Sequence, residues 1–314
     1  MRQDNVQRKV HGASWFFLSL ICVYLCVVMI LWKTNIGSHI TMVQNLILSQ
    51  SMIFVPTIIY ILISKCDLRE TLRLKKTHWL AIIIVPAFVV ALEPLMTLIN
   101  AISLLWVESA TTELATGLVS NHKLWVSTLL MAVTPGIVEE LAYRGVIMGS
   151  YRYSSRLAAI IIGGIMFGAM NFNQMAYAMV LGMMLGFLAE ATGSIFTTMY
   201  AHFCFNEISV IISYIASHVS VLKEMVEKQA SEGIAPDQLK QTILIYIPFA
   251  FMGLCAAAAL IVLLAYLNKR HMDMLAMFRR NRNTEAKRPR IISVPLVLAL
   301  CVCIGFMIIT EFVL

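Results

Sequence analysis

Glu139-Glu140-Leu141-Ala142-Tyr143-Arg144 puts three ionisable side chains inside an apolar stretch that runs roughly over residues 124–149. Near the centre of a bilayer each charge costs about 2.5–3.5 kcal/mol on insertion scales, so about 8–10 kcal/mol must be offset by partners. Glu140 and Arg144 are four residues apart, on one helix face with the acid on the N-terminal side, and can pair. Glu139 points about 100° away around the helix and is not consumed by that pair. It is left free to act as a general base. Further along, His202 and Asn206 also share a helix face. Both can donate hydrogen bonds to a carbonyl oxygen that turns negative as its carbon becomes tetrahedral. Two more polar groups lie in apolar surroundings: Asn171, closing Phe167-Gly168-Ala169-Met170-Asn171, and Glu93, just before Pro94.

The elements that must position these groups follow from composition. Of 314 residues, 60% are hydrophobic and only 13% charged, where a soluble domain carries about 25%. The mean hydropathy is +0.81. Apolar segments run over residues 14–32, 41–64, 79–105, 124–148, 157–172, 174–191, 194–217, 243–267 and 291–313. The expected fold is an all-α, polytopic transmembrane helical bundle of about 8–9 spans, since about 20 apolar residues cross a bilayer. Residues 1–314 form a single integral membrane domain. The polar motifs lie in a core at 134–206, with flanking transmembrane helices at 1–122 and 207–314. The fifth and sixth segments are short and nearly contiguous, as in a broken or re-entrant pair lining a cavity. The first segment is too long and too poor in small residues for a cleaved signal peptide, and reads as a retained span.

A net charge of +7 invites a nucleic-acid partner, but the placement of the charge excludes one. Most of the 24 basic residues sit in the N-terminal tail and in the stretches 65–78, 149–156 and 269–290. The alternate loops, 106–122 and 218–242, carry Glu108, Glu113, Glu224, Glu227, Glu232 and Asp237. This is the positive-inside pattern of a multi-pass protein with a cytoplasmic N-terminus. The 269–290 stretch reads first as a topogenic loop and second as a contact for anionic headgroups. The cysteines, including Cys66, form no CxxC and none falls in an outer loop. No disulfide and no cysteine metal site is expected.

Depth links the motifs. At 1.5 Å per residue Glu139 lies about 15 Å from the cytoplasmic end of its segment, His202 about 12 Å and Asn171 about 21 Å. A water-filled pocket at that level would serve all three. Taken singly, each motif has a plainer reading. His-x-x-x-Asn is an ordinary interhelical hydrogen-bonding pair, Gly163, Gly164, Gly168, Gly182 and Gly186 are close-packing positions, and buried carboxylates also mark ion paths. A transporter would show inverted repeats, and the polar groups instead cluster in one stretch.

Taken together and in order, the run from Thr134 to Asn206 resembles the core of the CPBP intramembrane proteases. That family includes the CAAX prenyl endopeptidases and bacteriocin-processing or immunity proteins. Its marks are Glu-Glu-x-x-x-Arg, Phe-x-x-x-His and His-x-x-x-Asn or -Asp on successive helices. Here they are Glu139, Glu140 and Arg144 with Gly145, then Phe167, then His202 and Asn206. Leu181 to Gly186 and Glu190 to Ser194 resemble the family's linking segment. The chain departs from the pattern at Asn171, which stands where the family has histidine. Asn171 can orient a water but cannot relay a proton near neutral pH, and His122 and His218 fall near segment ends.

The resemblance implies an intramembrane endopeptidase acting on a membrane-embedded or lipid-associated peptide or protein in the cell (plasma) membrane. Glu139, Asn171, His202 and Asn206 would be catalytic, with Glu140 and Arg144 as structural support. The departure at Asn171 motivates an alternative: a catalytically degenerate member that binds membrane proteins as a chaperone or immunity factor. A catalytic zinc takes about three protein ligands. Only Glu139 and His202 are credible here, so no metal and no cofactor is expected.

Overall fold

In lipid a helix satisfies its own backbone polar groups, so long apolar runs fold as helices. The computed structural model describes residues 3–64, 67–106, 117–232, 236–278 and 290–312, and these contain helices and no strand. Arg2, Lys65, Cys66, Glu108, Glu113 and the basic residues between 279 and 288 lie outside the described residues. The main helices are α1 (Gln3–Thr34), α2 (Met42–Ser64), α3 (Ala81–Ser103), α4 (Leu124–Tyr151), α5 (Arg156–Ala169) and α6 (Met175–Thr192). They continue with α7 (Ile195–His218), α8 (Ser220–Glu232), α9 (Pro236–Leu267), α10 (His271–Phe278) and α11 (Val294–Phe312).

Seven of these helices are long and apolar enough to cross a membrane: α1, α2, α3, α4, α6, α7 and α9. α5 and α11 are shorter apolar helices. The chain is thus an all-α polytopic membrane bundle. The 14 residues of α5 reach about 21 Å, short of a hydrocarbon layer of about 30 Å. α5 and α6 form a tight antiparallel hairpin. A Cβ on Gly182 would lie 2.9 Å from the Gly164 Cα and 3.1 Å from Phe167 Cδ1. Only glycine lets the two backbones approach so closely. The helical path breaks between Ala169 and Met175, with one 3-10 turn at Phe172–Gln174.

α4 is a single rod with two wider π-helical turns, Leu129–Val133 and Leu141–Ile147. The first lies just before Pro135, which has no N–H to give an i→i−4 bond. There the Thr134 hydroxyl donates to the Leu129 carbonyl, five residues back, at 2.8 Å. The second begins directly after Glu140. Isolated π turns of this kind concentrate at functional sites.

The basic segments meet on one face. Gln7 and Arg290 exchange hydrogen bonds, with the Arg290 N–H 2.9 Å from Gln7 Oε1. Lys9 sits 3.7 Å above the Tyr153 ring. Arg73, Arg152, Arg156 and Arg270 converge on Glu190, near the end of α6 and only 1% exposed. Arg73 bonds Glu190 directly and donates to the Ala189 carbonyl at 2.6 Å. Arg152 Nε is 3.3 Å from Glu190 Oε1. Arg270 Nε donates to the Glu190 carbonyl at 2.7 Å, and Asp273 adds a second acid for Arg156 and Arg270. Burial pushes the Arg73 guanidinium down to about 10 against the pull of Glu190, so it stays charged at neutral pH. Arg73 also holds a left-handed backbone, φ 52°, a conformation uncommon for a residue with a side chain. Gly193, at φ 69°, ends α6 with its N–H bonded to the Ala189 carbonyl, the usual glycine stop.

Two apolar clusters fill the bundle. One gathers α1, α4, α5 and α11 around Phe17, Tyr143 and Phe167. The other gathers α3, α6, α7 and α9 around Phe88, Leu185 and Phe205. α6 contributes to both, through Ala178 and Ala189 on one side and Leu181, Leu185 and Leu188 on the other. α2 stands at the edge, with Thr57 its one buried residue.

Candidate active site

A cavity of about 190 Å³ opens where α1, α2, α4 and the broken end of α5 meet. Its polar lining comes from Tyr24, Ser49, Gln50, Glu139, Tyr143 and Asn171. Non-helical backbone at membrane depth is tolerated where it lines such a space, and the break at Asn171 does so.

Glu139 is 14% exposed and stands on the cavity wall. The Gln50 amide, from α2, donates to Glu139 Oε1 at 3.1 Å. His202 Nε2 lies 3.9 Å from Glu139 Oε2, beyond hydrogen-bond reach. Among the described residues no Lys or Arg pairs with Glu139.

Glu140 faces the other way and is fully buried. Its Oε1 accepts from Arg144 Nη1 at 2.7 Å and lies 2.9 Å from His202 Nδ1. A carboxylate only accepts, so a hydrogen belongs on Nδ1, and Nε2 is turned toward Glu139. Arg144 also donates to the Gly182 carbonyl at 3.2 Å and stacks 4.6 Å over the Phe167 ring. Phe167 in turn meets the rings of Tyr143 (5.0 Å) and His202 (5.8 Å) edge-on. Guanidinium and aromatic edge are the complementary partners of a ring face. Helices α4, α5, α6 and α7 are thereby locked around Glu140.

The two adjacent glutamates therefore occupy different surroundings, as their spacing implies. His202 and Asn206, expected as donors into the pocket, are both on α7, and neither is among the residues that line the cavity. His202 is 3% exposed and committed to Glu140, and Asn206 lies one turn further along the helix. What His202 meets is set by the packing of α7 against α4. Asn171 does line the cavity, and its amide donates back to the Phe167 carbonyl at 2.8 Å, closing the end of α5. Glu93 is not part of the cavity lining.

Sequence reasoning missed Gln50 and Tyr143. A glutamine amid the apolar residues of α2 was the available signal for the first. Tyr143 was hidden in plain sight, as filler between Glu140 and Arg144. Glu190 was also passed over, though a carboxylate near the end of an apolar segment calls for a cation.

The donor set does not suit a zinc ion. His202 meets Glu140 through Nδ1 and faces Glu139 through Nε2, on opposite sides of its ring, so the three groups cannot converge on one ion. Among the described residues no cluster of three His, Cys, Asp or Glu has metal-binding geometry.

Residues 121–208 match the family model described as type II CAAX prenyl endopeptidase Rce1-like. That segment is similar to the Rce1-like family. The Rce1-like stretch runs from just before α4 into α7 and carries Glu139, Glu140, Arg144, Asn171, His202 and Asn206. Tyr24 and Gln50 reach the same cavity from helices outside the Rce1-like match. No curated protein and no solved structure matches the chain.

Proposed function

We propose that this chain is an intramembrane endopeptidase that uses Glu139 to activate water. One observation carries the reading: Glu139 stands on the wall of a cavity between apolar helices with a neutral amide as its hydrogen-bond partner, while its neighbour Glu140 is committed to Arg144 and His202. A carboxylate held but not neutralised by a cation is suited to take a proton.

The step balances without a metal. Glu139 accepts a proton as the water oxygen bonds to the peptide carbonyl carbon, and the carbonyl π pair moves onto oxygen. On collapse the C–N bond breaks, and the leaving amine takes the proton that Glu139 held. His202, oriented by Glu140, stands beside Glu139. The Gln50 amide fixes the carboxylate from the opposite side. The substrate is a peptide bond in a membrane-embedded or lipid-associated peptide or protein, which the position of the cavity among helices long and apolar enough to cross a membrane favours. The convergence of the basic segments favours a cytoplasmic N-terminus; the cell (plasma) membrane is proposed from the family resemblance alone.

A second reading rests on Asn171. Without a histidine there, the cavity lacks a second proton carrier, and the scaffold would serve to bind a membrane segment without cutting it. Purified protein in lipid vesicles, given a lipid-anchored peptide substrate, separates the two. The endopeptidase reading expects cleavage by wild type, insensitive to a chelator, that Glu139→Gln abolishes. Activity that appears only in Asn171→His would establish the binding scaffold. Cleavage unchanged in Glu139→Gln would refute the first reading.

A further inference from the structure

The charged cluster around Glu190 carries more positive charge than its acids neutralise. Arg73, Arg152, Arg156 and Arg270 are paired with Glu190 and Asp273, so four guanidinium groups against two carboxylates leave an excess of two positive charges. We propose that this cluster is a binding site for the phosphate of an anionic lipid headgroup. The site stands whether or not Glu139 cuts a peptide bond.

Its place in the bundle points to a lipid. Arg152 directly follows the span α4, Arg156 opens α5, and Arg270 lies three residues beyond the span α9. The group therefore stands where helices leave the hydrocarbon, at the level of lipid headgroups. The next helix, α10, is tied to it by Arg156, whose Nη1 donates to the Asp273 carbonyl at 3.3 Å. α10 packs Met274 and Met277 against the two apolar clusters. It leaves Met272, Leu275 and Phe278, spaced three apart, 60, 55 and 63% exposed. A helix with an uncovered apolar stripe beside basic side chains lies in a membrane interface. The stripe enters the acyl region and the arginines stay level with the phosphates.

The arginines are gathered by their acids but not used up by them. Arg270 Nη2 is buried and makes no hydrogen bond among the described residues. It lies 3.3 Å from Asp273 Oδ2 and 3.8 Å from Glu190 Oε2, as an ion pair without a hydrogen bond. Arg156 Nε is 3.9 Å from Glu190 Oε2, beyond hydrogen-bond reach. Arg152, Arg156 and Arg270 keep 26, 31 and 18% of their side chains exposed, so an anion can reach them, while Arg73 is the inner tie. Burial lowers the Arg152 guanidinium; Glu190 raises it, and Arg156 and Arg270 lower it again. An entering phosphate relieves that mutual repulsion. Each guanidinium offers paired N–H groups that match two phosphate oxygens. A choline headgroup carries its own cation and leaves the excess charge unmet.

The test titrates delipidated full-length protein in neutral detergent, at low ionic strength, with phosphatidylglycerol, with phosphatidylcholine of the same chains, and with inorganic phosphate. The readouts are the melting shift relative to the same protein without additive and the lipid retained in native mass spectrometry. Phosphatidylglycerol should bind saturably and raise the melting temperature; phosphatidylcholine and inorganic phosphate should not. Arg156→Gln removes one of the two excess charges and should weaken phosphatidylglycerol binding about fivefold, the effect of one basic residue at an anionic surface. Asp273→Asn adds one excess charge and frees Arg156 and Arg270, so it should strengthen binding about fivefold. A cluster that serves structure alone would let both variants lose stability and leave lipid affinity where it was. Phosphatidylglycerol binding equal in all three proteins, or matched by phosphatidylcholine, would overturn the site. Inorganic phosphate that reproduces the melting shift with the same order of variants would assign the cluster to a free phosphate and overturn the lipid. If Arg156→Gln does not fold, Asp273→Asn decides by the sign of its effect.

Discussion

Glu139 and Glu190 are both carboxylates carried inward on helices, and they differ in company. Four arginines from three separate segments gather around Glu190, which is 1% exposed. Glu139 has an amide at 3.1 Å, a histidine at 3.9 Å and an open cavity in front of it. Surrounded by cations, a carboxylate serves as a tie between chain segments. With neutral partners and free space, it is open to a group that enters the cavity. The contrast suggests a rule for this bundle: surplus positive charge marks anchoring, and its absence marks chemistry.

Exchanging each acid for its amide tests that rule most directly. Glu139→Gln should cost at least 10²–10⁴-fold in cleavage rate, the range of general-base catalysis, while its melting temperature in detergent stays near wild type. Glu190→Gln should do the reverse. It strands buried arginines, and breaking a buried pair in this way costs about 3–5 kcal/mol. Denaturation in a mild detergent would register that loss, with the rate per folded molecule unchanged. If Glu190→Gln instead lost rate and kept its stability, the division of labour would be wrong.

A smaller effect sharpens the chemical side. Gln50→Leu keeps the volume and removes the amide that holds Glu139. A hydrogen bond to a charged group contributes about 1.5–3 kcal/mol, so kcat should fall about 10–100-fold with KM little altered. A rise in KM alone would move Gln50 from positioning the base to binding substrate.

The smallest effect lies at the anchor's rim. Burial alone would raise the Asp273 carboxyl, but Arg156, by hydrogen bond and charge, with Arg270 and Arg152, holds it below its ordinary value. A carboxylate lowered on folding contributes stability above its unfolded value, about 3.9, and loses it as pH falls through the folded value. Asp273 is 44% exposed, and solvent screening keeps the contribution below about 1 kcal/mol. Wild type and Asp273→Asn should therefore melt slightly apart at pH 6, and the gap should narrow as pH falls below about 3.9. A gap that widens toward acid pH would contradict the assigned pairing.

Much of the fold was legible because the bilayer imposes length and composition on each span. The apolar segments and the common face of the basic loops follow from local sequence. So does the pairing of Glu140 with Arg144, four residues apart on one helix. The contacts that were not legible join helices distant in sequence. Nothing in the spacing of Gln50 and Glu139, or of Arg73 and Glu190, says that they touch. His202 shows the limit most clearly. Its helical partner Asn206 was readable, yet the residue it bonds is Glu140 on another helix, and only the packing of α7 on α4 decides that. The wide turns of α4 were also beyond reach, since they break the period on which any face assignment depends.

Those wide turns carry a consequence for how such a protein can change. A π turn holds one residue more than the α repeat needs, and the turn at Leu141–Ile147 lies between Glu139 and Arg152 on one rod. It therefore sets the rotational phase between the reacting end of α4 and its anchored end. Gain or loss of one residue there would turn the glutamates about the helix axis while leaving the arginine anchor seated. Lineages can adjust the aim of the base through chain length at a single turn, with no substitution at the base itself.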